Sequence, residues 1–67
     1  MPEWMKKAHR VIGELCLASF KAANQKSDGS YYKRHRPYTV PSMAEALIEC
    51  LNTEDEERAK AIFCWEL

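Results

Sequence analysis

The spacing of apolar residues predicts a long helix over about residues 2–24. Small or apolar side chains recur every four and three residues, which keeps them on one helix face: Trp4, Ala8, Val11, Leu15, Ala18 and Ala22. A second row flanks the first: Met5, Ile12, Cys16, Phe20 and Ala23. The opposite arc is polar and holds Lys6, Lys7, His9, Arg10, Glu14, Lys21 and Asn24. Pro2 suits the first turn of this helix, where its missing N–H costs nothing.

The apolar face of this helix is wider than one core requires. At 100° per residue the two rows cover about 200°, whereas a helix that faces a single core needs little more than about 100°. The later helices of the same chain could cover both rows, or a second molecule could cover one of them. We expect a homodimer, because it adds the buried area that a short chain lacks. Its predicted interface comprises Trp4, Ala8, Val11, Ile12, Leu15 and Phe20.

Two shorter helices are predicted over about residues 43–52 and 54–66. Ser42 with Glu45, and Thr53 with Glu56, have the spacing of a capping box. The second helix is strongly apolar and is therefore expected at the centre, with Met43, Ala44, Ala46, Leu47, Ile48, Cys50 and Leu51. The third presents Ala59, Ile62, Phe63 and Trp65 on its apolar side. The prediction is one all-α domain over residues 1–67, with a thin core.

Residues 25–41 form a long connection between the first and second helices. Ser27 to Ser30 read Ser-Asp-Gly-Ser, a sequence typical of turns. Pro37 and Pro41 favour extended backbone in the residues before them. Connections longer than about 12 residues are uncommon in small domains and often carry function.

The chain of 67 residues has a net charge of zero, which conceals an uneven distribution. Residues 1–41 carry eight Lys and Arg against three acids, and residues 42–67 carry two against seven. One interpretation is that the halves attract each other, within one chain or head to tail between two. The other is a basic surface for nucleic acid or membrane beside an acidic tail.

The functional expectation is a small regulatory module that binds and inhibits or modulates a larger protein, such as a transcription regulator or an ATPase. Tyr and Arg dominate protein–protein hot spots, and Leu17 stands alone on the polar arc of the first helix. The predicted contact residues are Leu17, Tyr31, Tyr32, Arg34, Arg36, Tyr38 and Trp65. Small helical chains of this style are typical of accessory proteins of bacteria, phages and plasmids.

Two other interpretations of the connection remain open. Lys33, Arg34 and Arg36, with the positive face of the first helix, could bind nucleic-acid phosphates while tyrosines stack on bases. Alternatively, the connection could reach back to the acids at 54–57. Those same acids argue against a helix-turn-helix over 42–67, because its reading helix would begin with them.

The sequence offers no chemistry that points to an enzyme. It has no glycine-rich phosphate loop and no Gly-x-Ser-x-Gly motif. Its two histidines and three cysteines, Cys16, Cys50 and Cys64, lack the spacing of metal ligands, so we expect no metal and no cofactor. We expect buried, reduced cysteines. Glu14 interrupts the leader-like run after Arg10, and no apolar run reaches 18 residues, so we expect a cytoplasmic protein.

Overall fold

The chain forms three helices and no strand over the part described here. The computed structural model describes the backbone of residues 1–66 and the side chains of residues 1–64. Helix α1 is Glu3–Asn24, α2 is Ser42–Thr53 and α3 is Glu56–Glu66. The all-α prediction is confirmed, and each helix begins and ends within one or two residues of the predicted bounds.

The core lies where the three helices meet, and the apolar spacing of each helix supplies it. Its buried members are Ala8 and Val11 of α1, Leu47 and Cys50 of α2, and Ala59, Ile62 and Phe63 of α3. Helix α2 contacts both α1 and α3, as its apolar composition predicts. Full burial of Leu47 and Ile62 would contribute on the order of 2 kcal/mol each to folding.

Neither predicted capping box forms. Ser42 is already the first residue of α2, and the preceding Pro41 makes no side-chain cap. The Thr53 hydroxyl donates back to the carbonyl of Glu49 at 3.0 Å instead of opening α3. Asp55 opens α3, since its Oδ1 accepts the backbone N–H of Arg58 at 3.2 Å.

The connection leaves α1 through a tight turn. Gln25 is extended and forms an antiparallel bridge with Tyr31. The Lys26 N–H donates to the carbonyl of Ser30 at 2.6 Å, and Gly29 occupies the left-handed region with φ of 90°. The predicted turn at 27–30 is therefore confirmed.

Two side chains depart from their predicted environments. The sequence places Asn24 on the polar arc of α1, but this residue is fully buried. The sequence predicts a buried Cys64, but this residue is exposed, whereas Cys50 is buried and Cys16 is half-buried.

The prediction that the connection reaches back to the acids at 54–57 is wrong. Arg36 is bonded to Asn24 at the C-terminal end of α1, whereas Glu56 lines a groove with Glu3 and Trp4 at the N-terminal end. At 1.5 Å rise per residue these ends are on the order of 30 Å apart, several times the Debye length of about 8 Å in physiological salt. The three ion pairs among the described residues are Lys6–Glu3, Arg58–Glu49 and Lys60–Glu56, and none of them joins the basic half to the acidic half.

Candidate interaction surface

Asn24 fixes the connection to the end of α1. Its Oδ1 accepts the backbone N–H of Arg36, and its Nδ2 donates to the carbonyls of Arg36 and Phe20, both at 3.1 Å. The Asn24 carbonyl accepts the N–H of Tyr32 at 3.1 Å. A buried amide with every polar group satisfied holds a segment in one arrangement, because any displacement leaves a buried group unpaired.

Phe20 gathers three rings of the connection around itself. Its centroid lies 5.9 Å from Tyr31 in a stacked pair, 5.0 Å from His35 and 5.6 Å from Tyr38 in edge-to-face pairs. These separations fall in the range that aromatic pairs prefer. The tyrosines nevertheless keep 39% and 42% of their surface exposed, so they are held in place and still accessible.

The ring of Tyr32 contacts two cations of the connection. The Arg36 guanidinium lies 4.3 Å from the Tyr32 ring centroid and the Lys26 ammonium lies 5.4 Å from the same centroid, so both form cation–π contacts. Tyr32 is half-buried, so its ring orients these charges and is less available to a partner.

The turn before Tyr31 is closed by Asp28. Its Oδ1 accepts the backbone N–H of Ser30 at 3.0 Å and the Ser30 hydroxyl at 2.6 Å. These hydrogen bonds lower the pKa of the Asp28 carboxyl below its ordinary value, because they favour the ionised form.

This end of the molecule is strongly basic. It carries Lys21, Lys26, Lys33, Arg34 and Arg36, and none of them takes part in the ion pairs found among residues 1–64. Asp28 is the one acid between residues 15 and 44, and it is engaged with Ser30. We call these cations, with Tyr31, His35 and Tyr38, the basic-aromatic surface.

Apolar features adjoin the basic-aromatic surface. Leu17 is 51% exposed, as predicted, and it precedes Phe20 and Lys21 by three and four residues on the helix, so the three side chains are neighbours. On the other side of Tyr38 a shallow cleft of about 380 Å³ runs between α1 and the connection. It is lined by Ser19, Ala22, Ala23, Pro37, Tyr38 and Thr39.

The structure places the residues of the predicted dimer interface against their own chain. Ala8 and Val11 are buried in the core, and Trp4, Ile12 and Leu15 pack against it while part of their surface stays exposed. The ring of Phe20 packs against Tyr31, His35 and Tyr38 of the connection. The wide apolar face of α1 therefore has intrachain partners on both rows. The predicted contact at Trp65 lies outside the described side chains.

Sequence reasoning missed Asn24 and the central position of Phe20. An asparagine near a helix end is common, and nothing in its immediate sequence distinguishes a buried clamp from a solvated side chain. The partner that defines its role, Arg36, is twelve residues away.

Other chemistry has little support in the described residues. No three His, Cys, Asp or Glu side chains among residues 1–64 come close enough together to share a metal ion. None of the three helices has both the length and the apolar composition to span a bilayer over its described residues. No protein-family model, curated protein or solved structure matches the chain.

Proposed function

We propose that this protein is a regulatory interaction module whose basic-aromatic surface binds an acidic patch on a larger protein and modulates it. The observation that carries the proposal is that two exposed tyrosines and four cations lie on a segment fixed by the buried amide of Asn24, next to Lys21 of α1. Fixing a surface before binding reduces the entropy lost on association. Inhibition of a transcription regulator or an ATPase is the kind of outcome that we expect.

A protein partner is favoured over nucleic acid by the apolar features of this surface. Leu17 and the alanine-lined cleft beside Tyr38 offer contacts for aliphatic side chains, whereas a base requires a free aromatic face. Phe20 already stacks on Tyr31 and receives the edges or faces of His35 and Tyr38. Tyrosine and arginine anchors beside a pocket are typical of protein–protein hot spots.

The direct test is affinity capture from a host lysate with paired variants. Leu17→Ser and Tyr38→Ala should each remove a defined partner that the unmodified chain retains. Ile48→Ser is the matched control, because Ile48 is 41% exposed on α2 and lies outside the basic-aromatic surface. Equal loss with Ile48→Ser, or retention of the partner by Leu17→Ser and Tyr38→Ala, would contradict the proposal.

The captured partner should then be purified and its binding measured by calorimetry. Replacing Lys33, Arg34 and Arg36 together by alanine should weaken binding, and salt should weaken it in parallel. Replacing the acidic residues of the partner's patch by neutral ones should weaken binding to the same extent. The partner's own activity, with and without this protein, tests the regulatory part of the proposal.

Nucleic-acid binding is the second candidate, and the five cations outside ion pairs support it. It requires that the chain bind a duplex or a single-stranded oligonucleotide with an affinity that falls steeply with salt. The triple alanine variant should then reduce the slope of that dependence by about three, since each lost phosphate contact removes about one. A flat salt response excludes this candidate.

We further propose, in a narrower form than the sequence predicts, a homodimer through α1. Trp4, Ile12 and Leu15 retain exposed surface that a second copy could cover. Sedimentation at micromolar concentration tests it, and a monomer would overturn it.

A further inference from the structure

A groove between the N-terminal half of α1 and α3 lies apart from the basic-aromatic surface. It measures about 700 Å³, within the size range of small-molecule sites. Its lining combines two aromatic rings, four cations and two acids: Trp4, Phe63, Lys6, Lys7, Arg10, Lys60, Glu3 and Glu56.

The acids of the groove are already neutralised. Glu3 pairs with Lys6 at 3.3 Å, and Glu56 pairs with Lys60 at 3.4 Å. Each pair joins residues one turn apart on the same helix, Glu3–Lys6 on α1 and Glu56–Lys60 on α3, so neither pair bridges the two sides of the groove. The groove therefore keeps the charges of Lys7 and Arg10 in excess.

The excess cations stand next to the apolar floor. The Lys7 ammonium lies 4.7 Å from the centroid of the Phe63 ring, which holds the charge over the aromatic face. Arg10 follows Lys7 by one helical turn, on the same side of α1. Trp4 precedes Lys7 by one turn and packs against the core. Along α1 the groove thus presents a ring, an ammonium and a guanidinium in succession.

We propose that this groove binds a small aromatic carboxylate. A planar apolar group would lie against the half-buried ring of Trp4, with the nearly buried Phe63 beneath Lys7 at the base of the groove. Its carboxylate would face Lys7 and Arg10. A guanidinium can receive both oxygens of a carboxylate at once. The surplus of positive charge disfavours a cationic ligand, and the aromatic floor gives a ring an advantage over a simple inorganic anion.

The test uses naphthalene carboxylate as the probe and its neutral carboxamide as the isostere. Each is titrated into the ¹⁵N-labelled protein, and the indole N–H of Trp4 and the amides of residues 4–10 and 56–63 are followed by NMR. We expect the carboxylate to bind about fivefold more tightly than the carboxamide, since two partly exposed charge contacts each contribute modestly. Acetate, which has the charge without the ring, should not displace these signals at the same concentration.

Variants locate the effect. Lys7→Gln with Arg10→Gln should erase the preference for the carboxylate while leaving the affinity for the carboxamide within about twofold, because the neutral ligand forms no ion pair with either cation. Lys21→Gln is the matched control, a cation on the same helix outside the groove. Equal binding of carboxylate and carboxamide, shifts centred on residues 17–38, or the same loss with Lys21→Gln would each overturn the proposal. The groove and the basic-aromatic surface are at opposite ends of α1, so either proposal can fail without the other.

Discussion

The side chain of Asn24 pairs with both backbone polar groups of Arg36. Its Oδ1 accepts the Arg36 N–H, and its Nδ2 donates to the Arg36 carbonyl at 3.1 Å. This is the pairing that a neighbouring strand would supply, provided here by one amide at the end of a helix. This pairing fixes the backbone of the connection to the end of α1, which keeps the Tyr38 ring in contact with Phe20.

Asn24→Ala is therefore expected to destabilise the protein and loosen the connection. The change removes three part-buried hydrogen bonds, to the Arg36 N–H and to the carbonyls of Arg36 and Phe20, and each such bond has a net contribution on the order of 1 kcal/mol. Chemical denaturation measures the loss of stability, and hydrogen exchange at the Arg36 amide measures the loosening. The contacts between Phe20 and Tyr38 should weaken in the same variant.

Gln25→Ala is the control for this prediction. Gln25 also donates to a backbone carbonyl, that of Gly29 at 3.0 Å, but its side chain is exposed and water can replace the bond. We expect a loss below about 0.5 kcal/mol, as for most surface substitutions. If the two variants lose equal stability, Asn24 is not a special anchor.

A structural feature can be predicted from this sequence when the interactions that produce it are local along the chain. Periodic burial is local, so the core positions Val11, Leu47 and Ile62 follow from spacing within each helix. The role of Asn24 depends on a partner twelve residues away, and no local pattern encodes it. Distances between charged clusters are equally non-local. The acids at 54–57 have the charge that would pair with the basic connection, but the helix arrangement places these acids near the N-terminal end of α1, far from the connection.

The failed capping boxes have a local cause that the motif does not contain. The Pro41 carbonyl accepts the N–H of Glu45 at 3.0 Å, which makes Ser42 a helical residue and takes its hydroxyl away from the cap position. At the second box, the backbone turns left-handed at Glu54, so the start of α3 moves to Asp55. A Ser or Thr three residues before Glu favours a cap but does not determine where the chain bends.

Glu54 suggests a stabilising change. It ends α2 with φ of 55°, a conformation that costs an L-residue energy and that glycine adopts freely. Glu54→Gly is expected to raise stability by about 0.5–1 kcal/mol, and the melting temperature by several degrees. Glu54→Ala is the control: it removes the charge from the acidic cluster but keeps the side-chain carbon, so it should give none of the backbone gain. A gain with alanine equal to that with glycine would assign the effect to charge.

The turn at Asp28 is expected to lose its hydrogen bonds in acid. The folded-state pKa of Asp28 is below its ordinary value, so its contribution is present above that ordinary pKa and is lost as the pH falls through the folded pKa. The Ser30 amide should therefore report a titration with a midpoint below about 3.9, the usual pKa of aspartate. Ser30→Ala removes the hydroxyl donor and should move the midpoint upward. A midpoint at the ordinary value in the unmodified chain would show that these bonds do not form in solution.

The three cysteines are expected to react with alkylating agents in the order of their exposure. The thiolate is the reactive form, and burial raises the pKa of the Cys50 thiol, so Cys50 is both shielded and less ionised at a given pH. Cys64 is exposed and Cys16 is half-buried. Treatment with iodoacetamide at mildly alkaline pH, followed by peptide mapping, should label Cys64 first, Cys16 next and Cys50 last. In denaturant the three rates should converge, which separates protection by folding from an intrinsic difference between the sites. Labelling of Cys50 as fast as Cys64 without denaturant would mean that α2 leaves the core readily, and the packing of Leu47 and Cys50 between α1 and α3 would then be weak.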